Sequence, residues 1–375
     1  MRRSETRILT THVGSLIRPP EFGEGVARGV SADAQLKAAV EDVVARQVRI
    51  GLDIVNDGEY SKSGWSIYIL ERLTGFEIRQ NQLQPLDWLG RDRARFAEFF
   101  AQEMPFAATG MPAEVCVGPI EYRDDGSHAR AIATLKLAAS AAHAQEAFMT
   151  VVAPASTAYN GVNEYYPSDR DYVFAIADAL RAEYRAVHDA GLVLQVDDAV
   201  LANMYDSLVQ RSPERYREWA QLRVDALNHA LSGIPEERVR YHVCFGSWHV
   251  PHVADAPLEE IIDLVLQVNA QGYSIEAANA RHEHEWRVWE KVQLPPGKIL
   301  IPGVVTHHTI SVEHPRLVAD RIVRFARLVG PENVIAGTDC GFAQTHNIQR
   351  VHPSVMWAKL EALVEGARLA TAELY

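Results

Sequence analysis

Nine short runs of apolar and β-branched residues alternate with longer helix-forming segments along this 375-residue chain. The runs are RILTTHVGS, LDIVNDGE, EVCVGPIEY, FMTVVAPAS, LVLQVDDA, RVRYHVCFG, YSIEAANA, KILIPGVVTH and NVIAGTDCG. Between them, in segments such as DYVFAIADALRAEYRAVHDAG, apolar residues recur at three- and four-residue spacing and a glycine closes the helix. Strands that alternate with helices in this way are typical of a parallel α/β sheet.

The number of runs favours a closed (β/α)8 TIM barrel, which needs eight strands. One of the nine is therefore expected to be a short extra strand or a loop. The rival is an open doubly wound sheet, but no glycine-rich nucleotide fingerprint follows the first run. The charged and aromatic stretch from Phe76 to Glu114 is interpreted as a long insertion after the second strand, forming either a lid or a homo-oligomer contact. Because no repeat or linker interrupts the chain, we expect residues 1–375 to form a single domain.

Charge and cysteine usage narrow the class of function. The chain has 37 Lys+Arg against 49 Asp+Glu, a net charge of −12, without a basic cluster, so we expect small-molecule partners, not nucleic acid or a membrane. No apolar run approaches the roughly 20 residues of a membrane span, and MRRSETRILTTHVGS lacks a signal-peptide core. Three widely spaced cysteines argue for reduced thiols. A cytoplasmic location is expected.

Ligand-type and titratable residues concentrate at the carboxyl ends of the predicted strands, where barrel enzymes carry their chemistry. In chain order these ends supply Ser15, Glu59, Asp197, His242 with Cys244, Glu276, His308 and Cys340. Taken singly, a buried cysteine is more often a small hydrophobe, and a strand-end carboxylate is commonly a helix cap. We expect Cys116 to be such a core residue.

The stretch YHVCFG places His242 and Cys244 two residues apart in a predicted strand, so the imidazole and the thiol share one face. A carboxylate, Glu276, and a further thiol, Cys340, stand at the ends of two other strands. Zn²⁺ favours a tetrahedral set of nitrogen, sulfur and oxygen ligands of this kind. The joint pattern indicates a zinc site, with an unrelated set of core residues as the alternative.

From about residue 8 to residue 345, these motifs resemble the C-terminal catalytic barrel of the cobalamin-independent methionine synthase family. The resemblance rests on HVC, SIE and DCG, and on VGS, DGE, QVDD and GVVTHH. It implies a zinc ion held by four ligands, which are His242, Cys244, Glu276 and Cys340. It also implies that Val13 to Ser15 bind the carboxylate of an amino acid substrate and that Glu59 and Asp197 bind its amine.

The same resemblance makes His308 the general acid that protonates a departing leaving group. A histidine can do this at neutral pH because its pKa lies near 6.5. Two alternatives stay open for this position. His307 is a competitor for the role, and His308 can instead be a hydrogen-bonded residue that orients a zinc ligand. His249, His252, His282 and His284 are expected on the surface or in loops, because none has a strand-end position.

The expected function is zinc-dependent methyl or alkyl transfer to a small thiol, with homocysteine as the first choice and methionine as the product. The donor stays open, because APASTAYNG replaces the family's Gly-Pro-Val-Thr and Asn-Trp pattern and offers no tryptophan to stack on a folate ring. One alternative is epoxide opening by a thiol such as coenzyme M, as in single-barrel epoxyalkane:coenzyme M transferase. The others are a structural zinc or a zinc hydrolase, and four protein ligands disfavour the hydrolase.

Overall fold

The computed structural model describes residues 1–19, 32–157, 159, 161–345 and 348–375. Within those residues the strands are β1 (Leu9–Thr10), β2 (Ile54–Val55), β3 (Phe76–Gln84), β4 (Met111–Cys116), β5 (Glu146–Val152), β6 (Gly161–Asn163), β7 (Val193–Asp198), β8 (Val239–Val243), β9 (Gly272–Ile275), β10 (Ile299–Val305), β11 (Ile335–Thr338), β12 (Ala343–Thr345) and β13 (Ile348–Gln349).

Eight of these strands form one parallel sheet in the order β1-β11-β10-β9-β8-β7-β5-β2. The two end strands, β1 and β2, also approach each other, because the amide of Asp53 donates a 3.2 Å hydrogen bond to the carbonyl of Thr10. Sequential strands are therefore neighbours around a nearly closed ring. The predicted (β/α)8 barrel is confirmed.

The longer helices follow the barrel strands and cover the sheet. They span Ala32–Ile50, Ser127–Ala141, Asp169–Asp189, Pro213–Ala230, Leu258–Val265, Pro315–Val329 and Pro353–Leu374. A 3₁₀ segment, Glu283–Glu290, stands between β9 and β10 in place of a regular α-helix. None of the helices in the described ranges combines the length and apolar character that a bilayer span requires.

Apolar side chains near the amino ends of the barrel strands form a compact cluster. The cluster consists of Leu9, Ile54, Phe148, Val193, Ile299, Ile301 and Ile335. Strands buried on both faces in this way are rich in aliphatic residues, which explains why the alternation of strands and helices could be recognised from the sequence. The polar and sulfur-bearing residues lie toward the opposite, carboxyl ends of the same strands.

The predicted run that exceeds the eight barrel strands is EVCVGPIEY, the third in chain order, and it lies outside the barrel. Its first residues belong to β4, which pairs antiparallel with β3 and parallel with β6 in a separate three-stranded sheet. The predicted insertion, residues 76–114, contains β3, most of β4 and the short helical segments Asp87–Leu89, Asp92–Arg95, Ala97–Glu103 and Phe106–Thr109, whereas β6 comes after barrel strand β5. Cys116, at the end of β4, is fully buried, as expected for a core residue.

Candidate active site

Two cysteines from different strands meet at the carboxyl end of the barrel. Cys244 directly follows β8, Cys340 lies just past β11, and their Sγ atoms are 3.5 Å apart. This distance is far longer than a disulfide bond of about 2.05 Å. It is close to the edge of a tetrahedral site with zinc–sulfur bonds of about 2.3 Å, roughly 3.8 Å. The ligand atoms of His242, Cys244 and Cys340 all lie within 4.8 Å of one another. These three side chains are placed to hold one metal ion.

The imidazole of His242 also fits metal binding. The side chain is buried, yet neither ring nitrogen makes a hydrogen bond with a nitrogen or oxygen atom of the described residues. Buried polar groups are normally satisfied, so a ring without such a partner is expected where a ligand completes the site.

The two thiols have opposite electrostatic character. The hydrogen bond to Cys340, together with the nearby His242, holds the pKa of Cys244 well below its usual value. The same contact and burial raise the pKa of Cys340 well above its own. Without a metal, the pair therefore shares one proton, and a cation in the site would favour both thiolates.

Glu276, the fourth predicted ligand, lies just past β9 and is buried. Its Oε1 accepts a hydrogen bond from the amide of Phe245 at 3.1 Å, and its Oε2 accepts one from Asn279 Nδ2 at 2.8 Å. Burial, and then the charge of Cys244, raise the pKa of Glu276 well above its ordinary value. The structure brings three of the four predicted ligands together, and ligation by Glu276 stays a prediction.

A cleft of about 760 Å³, counting the space open to solvent at its mouth, adjoins the sulfur pair. All four residues predicted to bind substrate line this cleft, which are Val13, Ser15, Glu59 and Asp197. They come from the carboxyl ends of β1, β2 and β7, whereas the thiols come from those of β8 and β11. The barrel therefore collects residues that are distant in sequence around one space.

Glu59 is already paired within the protein. Its backbone has a φ of 60°, a strained region for a non-glycine residue, and its Oε1 accepts hydrogen bonds from Thr150 Oγ1 at 2.5 Å and from Lys62 Nζ at 3.3 Å. Lys62 Nζ also donates to the carbonyl of Thr150 at 2.8 Å, and both charged side chains are buried. Sequence reasoning missed this lysine, because YSKSG resembles an exposed turn.

Asp197 has a different environment. Its Oδ1 accepts a hydrogen bond from Gln195 Nε2 at 2.6 Å, and it forms no ion pair with the described residues. Burial raises the pKa of Asp197 to about 7, with the charge of Glu59 adding to the rise and the charge of His242 opposing it. Because no cationic side chain of the described residues forms an ion pair with Asp197, a cationic ligand would stabilise its charged form.

The segment Val13 to Ser15 is fixed by backbone contacts. Gln195 Nε2 donates to the carbonyl of Val13 as well as to Asp197, and the Ser15 hydroxyl donates to the carbonyl of Ala343. Gly14 has a φ of +136°, and a Cβ added there would lie 2.6 Å from Thr150 Cγ2. Glycine is required at this point because any Cβ would collide with the Thr150 side chain of β5 and because the positive φ disfavours other residues.

His308 lies beside a second cavity, which Glu276, His252 and His282 also line, and it is not among the described residues that line the cleft. Burial, followed by the charge of His252, lowers the pKa of His308 to about 3. The adjacent His307 is fully buried, and neither of its ring nitrogens has a hydrogen-bond partner among the described residues. A role for His308 as general acid stays a prediction.

Two groups of side chains were not anticipated from the sequence. Trp65, Trp88, Tyr159 and Trp248 line the cleft. Next to the second cavity, Asp255 binds His252 Nδ1 at 3.0 Å and His282 Nε2 at 3.1 Å, and His282 is buried, not at the surface. The isolated motifs WHVPH and RHEHEW do not reveal this pairing, which depends on the fold.

Residues 125–362, more than half of the chain, match the family model described as the catalytic domain of cobalamin-independent synthase. The chain belongs to this family. A methionine synthase from Saccharolobus solfataricus is 23% identical over 375 residues, 97% of this chain and 95% of that protein. A methionine synthase from Sulfolobus acidocaldarius is 22% identical and covers 98% and 94% of the two chains.

Among solved structures, this member of the cobalamin-independent synthase family resembles a B12-independent methionine synthase from Shewanella sp. W3-18-1 in complex with selenomethionine. The TM-score is 0.74 at 19% identity, with 98% of this chain and 99% of that chain covered. At this identity the likeness establishes the barrel fold. The family assignment confirms the resemblance predicted from the HVC, SIE and DCG motifs.

Proposed function

We propose that this chain is a zinc-dependent S-methyltransferase that methylates homocysteine to methionine. The observation that carries the proposal is the cluster of His242, Cys244 and Cys340 beside a cleft at the carboxyl end of the barrel. Membership of the cobalamin-independent synthase family and the similarity to archaeal methionine synthases support it. We propose further that residues 1–375 act as one catalytic domain.

Two thiolates and an imidazole are a donor set that suits Zn²⁺. When bound, zinc supplies a Lewis acid that favours the thiolate form of a substrate thiol at neutral pH, where a free thiol with a pKa near 8.5 is mostly protonated. Glu276 completes the proposed ligand set. Its hydrogen bonds from Phe245 and Asn279 hold the carboxylate next to the backbone that directly follows Cys244, which supports this assignment.

The cleft also offers partners for the two ends of an amino acid. Asp197 is the proposed partner of the substrate amine, because it forms no ion pair among the described residues, while Glu59 is paired with Lys62. The fixed backbone from Val13 to Ser15 is the proposed site of the substrate carboxylate. A thiol that bears a sulfonate and no amine would leave Asp197 without a partner, which favours homocysteine over coenzyme M.

The first test is the metal content of cysteine variants. We expect the purified protein to hold about one zinc per chain, and Cys244→Ser and Cys340→Ser to lose most of it, because each removes a thiolate ligand. Cys116→Ser is the matched control, since Cys116 is buried in the separate three-stranded sheet. Elemental analysis of the three variants measures the result. A full complement of zinc in both site variants would reject the metal assignment.

X-ray absorption separates a catalytic from a structural zinc. If the substrate thiol reaches the metal, homocysteine will add a sulfur to the zinc coordination sphere, whereas an amine-free sulfonate thiol at the same concentration will add less. An unchanged spectrum with homocysteine would assign the zinc a structural role. A change with the sulfonate thiol alone would favour the epoxide-opening alternative.

A further inference from the structure

Aromatic rings stand next to the sulfur pair. Trp65, which follows β2, packs against the cluster that Cys244 and Cys340 form with Ala199. The Trp65 ring lies 5.5 Å from that of Tyr159, and the Tyr159 ring lies 6.4 Å from that of Trp88 in the insertion, with interplanar angles of 44° and 49°. All three rings line the cleft. A methyl donor that binds in this cleft would therefore lie close to these rings.

The charges around this cleft are acidic. Glu59 and Asp197 line it, and the described lining residues include no lysine or arginine. Two basic side chains that contact lining residues, Lys62 and Arg350, have contacts of their own. Lys62 Nζ donates to Glu59 and Thr150, and Arg350 donates to Gln344 with its guanidinium 5.1 Å from the centre of the Trp248 ring. Lys62 already pairs with Glu59, and Asp197 is the proposed partner of the homocysteine amine, so a cationic donor in the cleft would find aromatic rings and no lysine or arginine among the described lining residues.

The position of the predicted acid bears on the same question. A methyl group leaves a neutral amine only if the departing nitrogen gains a proton, so such a donor requires an acid beside it. His308 lines the second cavity instead of the cleft. A donor whose leaving group departs as a neutral molecule has no need of this proton.

We infer that the methyl donor is a methylated onium compound, a sulfonium or a quaternary ammonium, whose cationic centre binds against Trp65, Tyr159 and Trp88. Aromatic faces attract such cations, and tryptophan does so most strongly. The inference rests on the proposed function, because it names the donor for that transfer.

The reaction balances without an added acid or oxidant. The thiol first loses its proton to solvent. Its sulfur then attacks the methyl carbon, a new carbon–sulfur bond forms, and the bond from that carbon to the onium centre breaks. The electron pair stays on the departing sulfur or nitrogen, which leaves as a neutral sulfide or amine.

Binding of the onium group is tested directly with trimethylsulfonium and tetramethylammonium, followed by ligand-observed NMR, with tert-butanol as a neutral probe of similar shape. We expect both cations to bind more tightly than the alcohol. Trp65→Leu should weaken cation binding about 5- to 30-fold, and Trp65→Phe should retain most of it, because a ring face remains. Trp219→Leu is the control, since Trp219 lies on the outer helix Pro213–Ala230 and does not line the cleft. Equal binding of the alcohol, or no effect of Trp65→Leu, would overturn the inference.

Transfer is tested with methyl-labelled S-methylmethionine, glycine betaine and 5-methyltetrahydrofolate, each with the zinc-loaded protein and homocysteine deuterated in its backbone, so that methionine made from homocysteine is distinguished by mass from methionine left by the sulfonium donor. We expect label in methionine from the sulfonium or from the ammonium, and the two arms identify which. Label from the folate alone overturns the inference and leaves the proposed function intact. If homocysteine neither changes the zinc spectrum nor accepts label from any donor, the proposed function fails, and the cation titration still decides whether the aromatic site binds onium groups.

Discussion

Two adjacent aspartates at the end of β7 have opposite environments. Asp198 accepts four hydrogen bonds, from Ser156 Oγ, the amides of Val200 and Leu201, and the Tyr241 hydroxyl, at 2.9 to 3.1 Å. Asp197 accepts a hydrogen bond from Gln195 and forms no ion pair with the described residues. The charged form of Asp197 is therefore poorly stabilised in the free protein. Asp197→Asn is expected to stabilise the fold while it weakens substrate binding.

The magnitude follows from the pKa of Asp197, which burial raises from 3.8 to about 7. In the folded protein Asp197 keeps its carboxyl proton up to about pH 7, whereas in the unfolded chain it loses the proton near pH 3.8. The free energy of unfolding therefore falls as pH rises between these two values, and the loss is complete above about pH 7. The shift in pKa corresponds to a loss of folding stability of about 4 kcal/mol at pH 8 and roughly 2 kcal/mol at pH 5. Asparagine has nearly the same shape and carries no charge, so Asp197→Asn should recover much of this free energy of unfolding.

The same substitution should weaken homocysteine binding, because a charge-assisted hydrogen bond contributes roughly 1.5–3 kcal/mol, or about 10- to 150-fold in affinity. The matched ligand is 4-mercaptobutyrate, which is homocysteine without its amine and should lose much less. Because the amine pairs with ionised Asp197, homocysteine affinity of the wild type should rise with pH as Asp197 ionises, and the variant should lack the part of this rise that comes from Asp197.

The assays are urea denaturation of the zinc-free protein at pH 5 and pH 8, and thiol titration of the zinc-loaded protein. Asp198→Ala is the control for folding, because it removes four hydrogen bonds and should destabilise the protein by about 3 kcal/mol or more at both pH values. If Asp197→Asn also destabilised the protein at pH 8, the assigned environment of Asp197 would be wrong. Equal loss of affinity for the two thiols would remove its role in binding the amine.

Two further substitutions test the candidate acid and the backbone beside the cleft. If the donor is an onium compound, His308→Ala should lower kcat less than about tenfold, and so should its neighbour control His307→Ala. A loss of about 10²–10⁴-fold in His308→Ala alone would identify His308 as the general acid and would require a donor with a basic leaving group. Gly14→Ala places a Cβ 2.6 Å from Thr150 Cγ2 at a φ of +136° and should destabilise the fold by about 1–3 kcal/mol in urea denaturation, while Gly118→Ala, whose nearest neighbour is 3.8 Å away, should change stability little.

The barrel was predictable because its strands are buried on both faces, which produces apolar runs that stand out from the helical segments. The identity of the extra strand was not. EVCVGPIEY resembles the barrel strands because it too is partly buried, with Val115 and Cys116 fully buried in β4. Periodicity reports burial, and it does not report which sheet a strand joins.

The sulfur pair was predictable for a different reason. The chain has only three cysteines, so two of them at the ends of predicted strands are conspicuous, and a barrel brings the ends of its strands together. The aromatic rings were not predictable, because Trp65, Trp88 and Tyr159 come from three separate loops and share no spacing. Lys62 was missed for the same reason, since its partners Glu59 and Thr150 meet only through packing of β5 against the loop after β2. Contacts between loops depend on the fold and leave no local pattern.

The site holds several arrangements that are unfavourable on their own. Glu59 has a left-handed backbone, Asp197 is half-buried without an ion pair among the described residues, and His242 is buried without a nitrogen or oxygen partner there. Each of these lowers stability in the free protein, and a metal ion or a substrate amine would relieve the last two. The opposite end of the barrel is filled mainly by aliphatic side chains and Phe148, with the buried guanidinium of Arg240 4.2 Å from the centre of the Phe148 ring. The unfavourable groups at the carboxyl end are the ones that a metal ion or an amine could stabilise, which supports the cleft there as the ligand-binding site.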